Sequence, residues 1–84
     1  MALKSRYVGA TTVINTSANQ HLILGGITLT KFKFMNKADC TIVVNDSDQL
    51  CIFANQGYES KLGEIIYLFK VVTAGVDVTW NGRT

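Results

Sequence analysis

The sequence predicts an all-β fold, a small antiparallel β-sandwich or jelly-roll-like barrel of about six to eight short strands. Two observations carry that prediction. Runs rich in Val, Ile, Thr and Phe are punctuated by clusters of Asn, Asp, Ser and Gly, most clearly from Cys40 to Trp80. Val76-Asp77-Val78-Thr79-Trp80 alternates apolar with polar residues, the pattern of a strand with one buried and one wet face. Helix signals are nearly absent. The only polar segment of useful length, Gly57 to Glu64, has glycine close to both ends and reads as a loop with at most one helical turn.

Taken in order, residues 1–6 are polar and basic and form a candidate N-terminal arm. Tyr7 to Ile14 is a β-branched run around Gly9, where a bulge is expected. Asn15 to Gln20 is a loop by composition. His21-Leu22-Ile23-Leu24 reads as a short strand ended by Gly25-Gly26, and Ile27 to Met35 as a longer one. Along that longer strand the apolar positions move from odd (Ile27, Leu29) to even (Phe32, Phe34), so a twist or bulge is expected near Thr30.

Asn36 to Asp39 is the next turn, and Cys40 to Val44 the next strand. The Asx cluster Asn45-Asp46-Ser47-Asp48 reverses the chain into Leu50-Cys51-Ile52-Phe53. An even-numbered loop puts Cys40, Ile42 and Val44 on the same face as Cys51 and Phe53. A two-residue loop would set Cys40 opposite Cys51, within bonding reach. The favoured four-residue loop sets them diagonally, about 7–8 Å apart, as two reduced and buried thiols. A further strand is expected over Ile65 to Val72, and the last over Val76 to Trp80, with Asn81 to Thr84 as the chain end.

The 84 residues suffice for one domain and no second core. A chain this size buries only about 60–65% of its unfolded surface, so contacts with neighbouring subunits are a natural supplement. Charged residues make up 17% of the chain, below the roughly 25% of an average soluble domain. Net charge is +2 and the eight basic residues are dispersed, which disfavours nucleic acid as a partner. The nearest approach to a basic cluster, Lys31-Phe32-Lys33-Phe34, reads as a half-exposed strand with lysines to water and rings to the core. No signal-peptide pattern opens the chain and no apolar run is long enough for a membrane-spanning helix, so synthesis in a cytoplasm with no membrane partner is expected.

Chemistry-bearing patterns are sparse. His21 is the sole histidine, so no histidine pair for zinc and no triad of the usual kind is expected, and it reads as capping the start of a strand or facing solvent. Asn45-Asp46-Ser47-Asp48 resembles the start of a calcium loop but lacks the glycine and distal glutamate of that motif, and its composition is explained by turn formation. No enzymatic activity, cofactor or metal is therefore expected. The candidate partner contacts are Tyr7, Asn55, Gln56, Tyr58, Lys31 and Lys33. Tyr58, in a loop after Asn55-Gln56-Gly57, leads them, with packing over the end of the sandwich as its competing role. Trp80 falls on the apolar face of its strand and is expected in the core.

Four stretches carry a family resemblance: Cys40 to Asp48 with its Asn-Asp-Ser turn, Ile52 to Glu59 with the corner Ala54-Asn55-Gln56-Gly57-Tyr58-Glu59, Ile65 to Val72, and Gly75 to Trp80 at the end of Thr73-Ala74-Gly75-Val76-Asp77-Val78-Thr79-Trp80. Together they resemble small β-sandwich modules in virion proteins of tailed bacteriophages, over about the C-terminal half of the chain. The resemblance implies a non-enzymatic particle component, such as a capsid-decoration, fibre-base or tail-adaptor subunit. Such a subunit would be located in the virion and assembled with itself and other virion proteins as a homo-oligomer. No catalytic residue comes with it. Two other functions fit the same composition: a host-glycan or attachment module using exposed aromatics, and a small inhibitor of a host protein.

Overall fold

A computed structural model describes residues 7–10, 12–23 and 27–84. The arm expected over residues 1–6 and the break at Gly25-Gly26 lie outside the described residues. The described chain forms nine strands: β1 (Tyr7–Gly9), β2 (Ile14–Asn15), β3 (Gln20–His21), β4 (Thr30–Asn36), β5 (Cys40–Val44), β6 (Gln49–Ile52), β7 (Tyr58–Glu59), β8 (Phe69–Val71) and β9 (Asp77–Arg83). No helix occurs among these residues. All pairings are antiparallel. One sheet has the order β1-β9-β4-β7, with β2 also on β9, and the other β3-β8-β5-β6.

The two sheets enclose one apolar cluster. Phe32, Phe34 and Val78 come from the first sheet, and Ile42, Val44, Ile52, Phe69 and Val71 from the second. Phe69 is the keystone of the contact: its ring centroid lies 4.7 Å from that of Phe32 and 4.9 Å from that of Phe34, in tilted geometry. The all-β sandwich expected from the sequence is the observed architecture.

The face change expected near Thr30 is present, and its cause is visible. The β4–β9 register slips between Thr30 and Lys33, and Lys31 takes a left-handed φ of 50°. Leu29 is thereby buried before the bulge, and Phe32 and Phe34 after it. The Phe32 N–H accordingly donates to the Ser60 hydroxyl at 2.9 Å, while the Ser60 N–H donates back to the Phe32 carbonyl. That exchange continues the pairing of β7 against β4, so the segment expected to be loop over residues 57–64 supplies an edge strand.

Other expectations are corrected by the structure. Tyr7 to Ile14 is not one strand: β1 and β2 both pair with β9, with the register interrupted between Gly9 and Ile14. The strand expected at His21 to Leu24 is Gln20–His21, after which Leu22 and Ile23 turn into the core. The strand expected over Ile65 to Val72 survives only as Phe69–Val71, because this segment changes sheets. Ile66 bridges to Leu29, beside β4, through N–H···O bonds of 2.7 and 2.8 Å, whereas Phe69 pairs with Val44 in the other sheet. The last strand does not end at Trp80 but runs to Arg83, and Trp80 is only half-buried against the core.

The hairpin parity is also corrected. Ser47 N–H donates to the Val44 carbonyl at 2.9 Å across Asn45 and Asp46, whose φ values of 50° and 59° make a primed turn. The ladder that follows pairs Cys40 with Ile52, Thr41 with Cys51 and Ile42 with Leu50. This is one residue out of step with an even loop, so Cys51 and Phe53 face away from the core, and the two cysteines lie on opposite faces of the sheet. Both are free thiols; Cys40 is buried as expected and Cys51, contrary to expectation, is exposed.

Candidate functional site

Three buried or half-buried polar side chains position the loops, each in a stretch that the sequence reads only as a turn or loop. Asn36 is 1% exposed at the end of β4. Its Nδ2 donates to the carbonyls of Ala38 (2.8 Å), Phe53 (2.9 Å) and Ile52 (3.3 Å), and its Oδ1 accepts the Gly57 N–H at 2.9 Å. A single amide thus closes its own turn and fastens the chain on either side of the corner that follows β6. Gly57 is needed there: its φ is +69°, and a Cβ would fall 2.5 Å from the Phe34 carbonyl oxygen.

Asn45 does the same at the opposite end. Its Nδ2 donates to the Ile65 carbonyl (2.7 Å), and its Oδ1 accepts the N–H groups of Tyr67 (2.9 Å) and Leu68 (3.1 Å). These bonds hold the segment that changes sheets. Thr16 links the β2–β3 loop to the turn before β9, donating to the Thr73 carbonyl (2.8 Å) and accepting the Val76 N–H (3.1 Å).

The six residues expected at a partner surface do not converge on one spot. Tyr7 is 70% exposed on edge strand β1, with the Arg83 guanidinium 6.0 Å from its ring centroid. Lys31 and Lys33 project outward from β4 and, with Lys61 and Leu62, line an open depression of about 460 Å³. Asn55 has a left-handed φ of 63° and donates its N–H to the Asn36 carbonyl at 2.7 Å. Gln56 closes its own turn, its Oε1 accepting the Phe53 N–H at 2.8 Å and its N–H donating to the Phe53 carbonyl. Gln56, Tyr58 and Lys33 share a smaller depression of about 120 Å³.

Tyr58 is half-buried. Its ring centroid lies 5.8 Å from that of Phe69, and its hydroxyl donates to the Glu64 carboxylate at 3.1 and 3.2 Å. Burial, together with the proton-accepting Glu64 carboxylate, pushes its ionisation up to about 12. At Cys40, burial is the main cause that pushes the thiol up, and nearby Cys51 adds to it. Among the described residues no group of three or more His, Cys, Asp and Glu side chains is placed to hold a metal ion.

Sequence reasoning passed over a second set of surface residues. Leu50, Phe53, Leu62, Ile65 and Tyr67 are large, apolar and at least 41% exposed. For Phe53 the missing signal was the one extra residue between the Asn45-Asp46 turn and the ladder, which decides the side on which it emerges. No family model, curated protein or solved structure matches the chain.

Proposed function

We propose that this chain is a structural, non-enzymatic subunit of a tailed-bacteriophage virion, of the capsid-decoration, fibre-base or tail-adaptor type, that assembles through protein–protein contacts. The observation that carries the reading is the surface of the sandwich. Nine large hydrophobic side chains stand exposed among the described residues, from Ile27 at 37% and Leu50 at 41% to Phe53 at 64% and Leu62 fully open. On so small a domain, with 17% charged residues, that surface is suited to being covered by neighbours. The resemblance of residues 40–48, 52–59, 65–72 and 75–80 to phage virion modules names the kind of neighbour.

The test is binding of the purified protein to phage particles, paired with light scattering on a sizing column over a concentration series. Co-sedimentation with particles and a mass above the 9.2 kDa monomer are expected. A protein that stays monomeric throughout and sediments with no particle would overturn the proposal.

A further inference from the structure

We infer that β6 is a self-pairing edge, joining a second copy of this chain in antiparallel register about a two-fold axis beside Leu50. The inference deepens the assembly reading above by naming the strand and the register through which copies meet.

The direction of each backbone group on β6 follows from its neighbour. On β5, the Thr41 carbonyl accepts from Val72 and the Asn45 N–H donates to Leu68, so the main-chain groups of Thr41, Val43 and Asn45 turn toward β8. By antiparallel alternation those of Cys40 and Ile42 turn toward β6 and bond Ile52 and Leu50. The groups of Gln49 and Cys51 then point the other way, out of the sheet at its free edge. On either side the outward series stops: the Phe53 N–H is taken by Gln56 Oε1 and the Ser47 N–H by the Val44 carbonyl.

That arrangement accepts one self-complementary register. With Leu50 opposite Leu50 of the second copy, Gln49 of each chain exchanges both main-chain bonds with Cys51 of the other, and each outward group is used. Shifting the axis to Cys51 would set Gln49 against Phe53, whose N–H is already engaged. The side chains agree with the backbone. Leu50 lies opposite the fully buried Ile42 and so on the core face, yet it is 41% exposed, with no strand beyond it among the described residues. A second copy's Leu50 would cover it and join the two apolar cores. β6 carries no lysine, proline or charged residue to repel a twin.

The experiment is cross-linking by register in the full chain. In the non-hydrogen-bonded pair at the axis the Cα atoms approach to about 4.5 Å, within disulfide range. Leu50→Cys combined with Cys51→Ser is expected to give a covalent dimer under mild oxidation, while the wild-type chain, with Cys51 off the axis, gives none. Leu50→Lys, a change at a half-exposed site, is expected to weaken self-association by more than about tenfold with an unchanged circular dichroism spectrum. Efficient oxidation of wild-type Cys51 into a dimer would overturn the register. Undiminished oligomerisation of Leu50→Lys, or no covalent dimer from the Leu50→Cys chain, would overturn the β6 edge while leaving particle binding, and with it the assembly reading, standing.

Discussion

Edge strands β6 and β7 are managed in opposite ways. β7 is two residues long and sets Glu59 opposite Lys33. Beyond it, Ser60 is stitched to Phe32 by a main-chain and a hydroxyl bond. Its length and its charges leave little for another chain to pair with. β6 is four residues long and uncharged, with three of its residues exposed and one leucine on the core face left uncovered. The difference teaches that one sheet ends on a closed edge and the other on an open one, and that the open edge is held in shape from its end. That support is the Asn36 amide, bonded to the carbonyls of Ile52 and Phe53 where β6 ends.

The largest expected effect comes from removing that support. Asn36→Ala leaves buried carbonyls and the Gly57 N–H without their partner, which costs about 3 kcal/mol and, in a domain of this size, lowers Tm by roughly 12 °C or more. Thermal unfolding followed by circular dichroism reads it. Ser60→Ala, on the closed edge, strips the hydroxyl partner from the Phe32 N–H and is expected to cost about 1 kcal/mol. A Ser60→Ala penalty equal to that of Asn36→Ala would break the contrast between the two edges.

Leu50→Lys gives β6 the kind of charge that β7 already carries. It is expected to cost the monomer about 1 kcal/mol while weakening self-association by more than about tenfold, as urea unfolding and light scattering would measure. The faces of the β5–β6 hairpin can be sharpened by thiol chemistry. Exposed Cys51 should react rapidly with an aromatic disulfide reagent and buried Cys40 slowly, so that Cys51→Ser removes the fast phase. Two fast thiols would place Cys40 outside the core.

The smallest effect concerns Tyr58. Its folded-state ionisation lies near 12, above the ordinary 10.0, so the neutral phenol is favoured in the fold. The stability this group contributes is complete below pH 10 and is lost as pH rises through 12. An ultraviolet titration should show a phenolate wave near 12 that Tyr58→Phe eliminates. A profile unchanged by the substitution would refute the hydrogen bond to Glu64.

Much of the architecture was legible because strands announce themselves by composition and period. The β-branched run Cys40–Val44 and the alternation from Val76 onward marked β5 and β9, and the migration of apolar positions from Leu29 to Phe32 marked the bulge in β4. Three features were not legible. β7 is a strand only because Ser60 and Tyr58 meet β4, and nothing in its own residues demands it. Asn36 reads as an ordinary turn residue, since its burial depends on Ile52, Phe53 and Gly57, all more than a dozen positions away. The face of Phe53 was misjudged because a one-residue change in hairpin register carries each following side chain to the other face.

By itself the sequence determined that the chain is all-β, where most strands fall, and which runs can be apolar on one side, because these depend on local sterics and on a two-residue period. Only the tertiary structure decided which face of β6 is buried, which edges are capped and which thiol meets solvent. Those outcomes rest on contacts between residues far apart in the chain, where one side-chain amide or one left-handed turn residue selects among ladders that local propensity leaves equal.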